Sequence, residues 1–204
     1  MTQPLAEGPT NVRTYKDGAP FPPRLCLDAN VILDLHEHHL ASSGLLPRHR
    51  GHPDLAACLD RMQKAGCTIL VTPLALEEVF HILAGRLLVD AYKKCHCCAK
   101  EKELLQNHPP EQAAVRRKAI LGLREAVLAA ARKGAKIALP TKDVDGVQAH
   151  QTFTALLQNC MGIGGKDALH IVFGGLLEST AFLSRDAGFC SIPAITVFAK
   201  HMPR

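Results

Sequence analysis

Apolar residues along this chain fall in two patterns: short unbroken runs, and longer stretches with helical spacing. Leu25 to Leu27 form an apolar run too short for a helix, so it predicts a buried strand, ending abruptly at Asp28. Val31, Ile32, Leu33 and Leu35 then follow at helical spacing, with Asn30 as the expected N-cap. Asp54 to Ala65 predicts a compact helix with Leu55, Leu59 and Met62 on one face and Gly66 as its stop. Cys67 to Val71 predicts the second strand, and Thr72 with Pro73 caps and opens the next helix. On that helix Leu76, Val79, Phe80, Leu83 and Leu87 share a face, and Glu77, Glu78 and His81 lie opposite. Helical patterning continues to residue 135, broken at Asn107 to Pro110, with the longest helix expected over Glu111 to Arg132. Lys142 to Asn159 predicts another helix, and a glycine-rich joint from Met161 to Gly165 introduces a last one at Lys166-Asp167. Thr180 to Ser184 and Ala194 to Phe198 complete the predicted strands.

Strands near 25, 68, 181 and 195 with helices between them predict an α/β chain with a parallel sheet. Ligands of such sheets bind beyond the carboxyl ends of the strands, where Asp28 and Asp186 both fall. A buried strand avoids ending in a carboxylate unless the charge is paired or binds a metal. Residues 1–23, with Pro4, Pro9, Pro20, Pro22 and Pro23, read as a flexible leader or extended arm, and 24–204 as a single domain. Aromatic residues are 4% of the chain and tryptophan is absent, which argues against a stacking platform for single-stranded bases. No apolar run reaches the roughly 18 residues of a membrane span, and no signal peptide pattern opens the chain, so a cytoplasmic protein is expected. Eight cysteines in that setting read as thiols rather than a disulfide framework. In Cys95-His96-Cys97-Cys98 only Cys95 and Cys98 would share a helical face, and no second pair completes a zinc tetrahedron. The formal charge of +5 is uneven. Residues 84–136 hold twelve Lys or Arg against five acids, a balance of +7 that leaves −2 for the rest. Such a segment is a solvated helical face or a grip for a polyanion.

Four acids stand out by position: Asp28 and Asp186 at strand ends, Asp167 at a helix start, and Glu77 or Glu78 early in a helix after a strand. In a parallel sheet all four face the same rim. Clustered carboxylates repel one another unless a cation neutralises them, and oxygen ligands favour Mg²⁺ or Mn²⁺. Such ions activate water and neutralise charge at a phosphodiester. Each acid also has a plainer role as a helix cap or turn residue. His170, one turn beyond Asp167, is a packed helix residue or a neighbour of the acids. Lys166 and Arg185 flank two of the acids and could hold phosphate. Gly162, Gly164 and Gly165 allow a tight turn but follow a helix and lack the GKS/T ending of a phosphate loop.

The chain resembles the PIN-domain nucleases, especially the VapC-type toxins of toxin–antitoxin pairs. The resemblance rests on Leu27-Asp28-Ala-Asn30-Val31, on Val71-Thr72-Pro73 followed by Glu78-Val79, on Asp167-Ala-Leu-His-Ile, and on Phe182-Leu-Ser184-Arg-Asp186-Ala-Gly-Phe189, in family order. It implies an α/β/α sandwich with a central parallel sheet, here carrying an added helical insertion over about 84–140. It implies a divalent-metal-dependent endoribonuclease in which Asp28, Glu78, Asp167 and Asp186 are the catalytic, metal-binding acids, with Asn30 and Ser184 as polar support. The helical phase leaves Glu77 and Glu78 open; the family spacing chooses Glu78. Mg²⁺ or Mn²⁺ is the implied cofactor. RNA, a cognate antitoxin and a second copy of the chain are the candidate partners, with Arg116, Arg117 and Lys118 among the residues expected to grip RNA. The helix after Asp167 departs from the family in having Gly174-Gly175 where alanines are usual. Two rival functions are a non-catalytic RNA- or protein-binding module, and a phosphotransferase with Asp28 as nucleophile. Against the latter, Asn30 stands where a second aspartate would be expected.

Overall fold

Alternation of side chains along the strands builds two cores at once. Leu25 and Leu27, Ile69 and Val71, Ala181 and Leu183, and Phe198 point to one face, while Cys26, Leu70, Phe182 and Val197 point to the other. The computed structural model describes residues 12–15, 20–94, 109–140, 145–160, 163–190, 192 and 195–200. Its strands are β1 (Val12–Thr14), β2 (Arg24–Leu27), β3 (Thr68–Val71), β4 (Lys136–Ile137), β5 (Ala181–Leu183) and β6 (Thr196–Ala199). They form one six-stranded sheet in the order β1-β6-β5-β2-β3-β4, with every pairing parallel. The first face is covered by α1 (Ala29–Ser42), α2 (Pro53–Lys64), α3 (Pro73–Lys94) and α4 (Pro109–Arg132). The second carries α5 (Gly146–Asn159), α6 (Gly165–Leu176) and the short α7 (Ala187–Cys190). Helices on both faces of a parallel sheet make the expected α/β/α sandwich.

The four expected strands are present, and two more lie at the edges. β1 falls inside the stretch read as a leader and pairs with β6, so the extended arm contributes an edge strand there. β4 has two exposed residues and pairs with β3. Neither is long enough to leave a period-two pattern, which is why the sequence did not reveal them. β4 also changes the account of residues 84–140. That stretch is not simply an appendage, because it supplies an edge strand and because Ala126, Ala129 and Ala130 of α4 sit in the first core.

Three helix starts differ from expectation. Asp28, not Asn30, is the N-cap of α1, its carboxylate accepting from Ala29 N at 2.6 Å. Pro109 and Pro110 form the first turn of α4, so that helix begins two residues before the expected Glu111, as proline in a first turn allows, while Asn107 and His108 lie outside the described residues. Asp145 caps α5 by accepting from Val147 N and Gln148 N, so that helix begins at Gly146 rather than Lys142. Thr72 caps α3 as predicted, with Oγ1 accepting from Ala75 N at 3.2 Å. The Cys95 to Cys98 cluster lies outside the described residues. No helix among the described residues is long and apolar enough to cross a membrane.

Candidate functional site

β2 and β5 are neighbours in the sheet, yet the chain leaves them for opposite faces, through α1 and α7 respectively. That divergence opens a crevice at their carboxyl ends, where parallel sheets bind ligands. Asp28 closes β2 at the floor of the crevice and is 5% exposed. Its backbone N–H continues the ladder to Leu183 O at 3.1 Å. Its Oδ1 accepts from Ala29 N; its Oδ2 accepts from Ser184 Oγ at 2.8 Å and, at a long 3.5 Å, from Asn30 Nδ2. Ser184 is in turn held by Asp186 N, which donates to its Oγ at 2.9 Å. Both expected supporting residues therefore do touch Asp28. Burial pushes the Asp28 carboxyl up from its ordinary range, and the charge of Glu78 adds to this. The Ser184 and Ala29 hydrogen bonds and nearby His170 oppose the rise.

The other two walls come from opposite layers. Glu78 projects from the second turn of α3 on the first face, and His170 from α6 on the second. His170 is 3% exposed, and its Nε2 lies 3.1 Å from Glu78 Oε2. With Nε2 protonated the ring donates to the carboxylate and holds Glu78 in place. Glu77, which helical phase could not separate from Glu78, faces outward and pairs with His81 at 2.8 Å. One ligand atom each from Asp28, Glu78 and His170 lie within 4.8 Å of one another, a group that could hold a metal ion. A carboxylate has about four lone-pair positions. Three donors on Asp28 and one on Glu78 leave room for a cation on each.

Asp167 and Asp186 stand outside that tight group, and each also has a local task. Asp167 Oδ2 accepts from Gly164 N at 3.2 Å, bracing the start of α6, and Asp186 Oδ1 accepts from Gly188 N at 2.8 Å at the turn into α7. Asp167 still feels the field of that group. Burial raises the Asp167 carboxyl, the Gly164 hydrogen bond opposes this, and the charges of Asp186 and Glu78 push it further up.

The expected cations are dispersed. Lys166 lines a groove of about 630 Å³ that begins at Glu78 and follows α3 past Ile82, Arg86 and Asp90. Arg185 Nε pairs with Asp34 Oδ2 at 3.2 Å. Arg116, Arg117 and Lys118 are exposed on α4, beside Val115, which packs on Leu88. Leu88 is ten residues beyond Glu78, about 15 Å along the helix.

Sequence reasoning missed Asp34. Its one signal was an acid inside the apolar run Val31 to Leu35. The residue is 4% exposed, and its Oδ1 lies 3.6 Å from His52 Nε2. Tyr15, at the end of β1, was missed as well. Its hydroxyl is buried without a hydrogen-bond partner, and burial followed by the Asp34 charge pushes it well above its ordinary value.

Fold and site together define an α/β/α parallel-sheet protein with a carboxylate–histidine centre at the switch point of its strands. The chain matches no family model, no curated protein and no solved structure.

Proposed function

We propose that this protein is a PIN-like, divalent-metal-dependent endoribonuclease that hydrolyses RNA phosphodiester bonds. One observation carries the reading: a buried aspartate and a glutamate brought together from different elements at the carboxyl end of a parallel sheet, with the charge of that glutamate also felt by Asp167. Burial raises the Asp28 carboxyl and the charge of Glu78 adds to it, and a cation is the natural counter-charge. The oxygen donors of Asp28 and Glu78, with Asp167 and Asp186 completing the acidic surround, suit Mg²⁺ or Mn²⁺. The ion, when bound, activates water and neutralises charge on the scissile phosphate. Asp28 is the principal anchor, fixed by Ser184 and Ala29, and Glu78 is the second, fixed by His170. Lys166, on the groove leading away from Glu78, contacts the RNA backbone.

The test is cleavage of a mixed-sequence single-stranded RNA with Mg²⁺, with Mn²⁺ and with EDTA, comparing the wild type with Asp28→Asn. Cleavage by the wild type that needs the divalent ion and is lost in a folded Asp28→Asn protein supports the reading. RNA binding without cleavage under any ion makes the protein a binding module. Unchanged cleavage by Asp28→Asn returns Asp28 to the role of a helix cap.

A further inference from the structure

The ion pair between Asp34 and Arg185 is unequal: the Asp34 side chain is 6% exposed and that of Arg185 42%. Taking a carboxylate out of water is costly, and a buried one without its ion-pair partner is left uncompensated, so Asp34 holds its cation firmly. Here a buried acid holds a half-exposed arginine. The arginine is also fixed at its root. Ser184 N donates to Phe198 O at 3.1 Å, Ser184 Oγ donates to Asp28 Oδ2, and Asp186 N donates to Ser184 Oγ. The residue on each side of Arg185 is thus tied to the acidic crevice, while Asp34 ties the guanidinium. Contact is through Nε, the innermost nitrogen, which leaves the four N–H donors of the two terminal nitrogens to other acceptors.

Asp34 is itself braced. His52 lies against its Oδ1 and against Glu37 Oε2, at 3.6 and 3.9 Å. Glu37 in turn holds Arg86 at 3.3 Å, and Arg86 lines the groove that begins at Glu78. A chain of charges over α1 thereby sets one arginine beside Asp186 and another in the groove beside Glu78.

We propose that Asp34 is a positioning residue: its buried carboxylate fixes the Arg185 guanidinium at the rim of the acidic crevice to take a phosphate of the substrate strand. This rests on the phosphodiester reading above. An arginine held at both ends spends little conformational freedom when it binds, and its terminal pair of donors matches two phosphate oxygens.

The experiment measures Mn²⁺-dependent cleavage, and anisotropy of a labelled single-stranded RNA in EDTA, for the full chain carrying Asp34→Ala, Asp34→Asn, Arg185→Ala, Arg185→Lys and the double Asp34→Ala/Arg185→Ala. Removal of an acid should by charge alone tighten binding of a polyanion. The proposal expects the reverse: Asp34→Ala weakens RNA binding and lowers kcat/KM on the order of tenfold to a hundredfold, as misplacement of a positioned group does. Asp34→Asn, which keeps the side-chain shape but removes the charge that holds the guanidinium, is impaired as Asp34→Ala is. The double variant is no worse than Arg185→Ala, because the two residues act as one unit. Arg185→Lys, which keeps the charge without the fork, stays impaired. Wild-type binding and cleavage by Asp34→Ala, or additive losses in the double variant, overturn the proposal. If Asp34→Ala does not fold, Arg185→Lys decides, and wild-type behaviour there overturns it. A wild type that neither binds nor cleaves RNA removes the phosphodiester reading, and this proposal with it.

Discussion

Asp28 is both the cap of α1 and the anchor of the candidate metal centre, and its burial sets up a test by titration. Burial holds its carboxyl above the ordinary aspartate value, so the folded protein binds this proton more tightly than the unfolded chain does. Stability from this group is therefore full below the unfolded value and is lost as pH rises through the higher folded one. His36 and His38 work the other way: burial lowers both, so they cost stability as pH falls below their ordinary value. Comparison of wild type with Asp28→Asn cancels the histidines. Without divalent ions, Asp28→Asn should melt close to the wild type near pH 4. By pH 7 it should be the more stable of the two, because the buried carboxylate is then ionised and the amide is not. Saturating Mn²⁺ should reverse the order, since the ion stabilises only the intact carboxylate site. A melting difference that stays flat across pH 4 to 7 would contradict the raised Asp28. At this scale the sequence exposed acids that end strands and left the Glu77 and Glu78 choice open. It could not pair Asp34 with Arg185, whose contact spans the chain from α1 to the loop after β5.

Elements show where local pattern and packing disagree. Gly174-Gly175 in α6 weakens a helix by propensity, yet the two positions are not alike. A Cβ on Gly174 would come within 2.4 Å of Phe182 Cζ, while one on Gly175 would meet nothing within 4 Å. The Phe182 ring is fully buried and stacks at a tilt on Phe189, with centroids 5.4 Å apart, so it has little room to yield. Gly174→Ala should destabilise by about 1–3 kcal/mol through overpacking. Gly175→Ala should leave stability unchanged or raise it by roughly 0.5–1 kcal/mol. Thermal melts of the two single variants check this, and equal effects would refute the close approach of α6 to β5. Glycine at position 174 is thus a consequence of the aromatic on the strand beneath it.

The distribution of charge belongs to the whole molecule. The stretch 84–136 carries +7 against −2 elsewhere, and Arg116, Arg117 and Lys118 are exposed on the part of α4 that meets the far half of α3. Neutralising all three should weaken RNA binding and reduce the log–log salt slope by about 0.7 for each phosphate that is no longer neutralised. Divalent affinity should barely change, because the carboxylates stay in place. Titrations at two salt concentrations, read beside light scattering, separate this from a partner surface: an unaltered slope with altered mass would make the α4 face a protein interface.

The sequence by itself determined the α/β class, the four inner strands and the acids placed at their carboxyl ends. Each follows from short-range physics: apolar runs that must be buried, side chains alternating along a strand, and caps that must satisfy free N–H groups. Only the tertiary structure decided that β1 and β4 close the sheet, that Glu78 meets His170 from the opposite layer, and that Asp34 holds Arg185. Those contacts depend on strand order and on which face each helix covers, and no local period in the sequence carries that information.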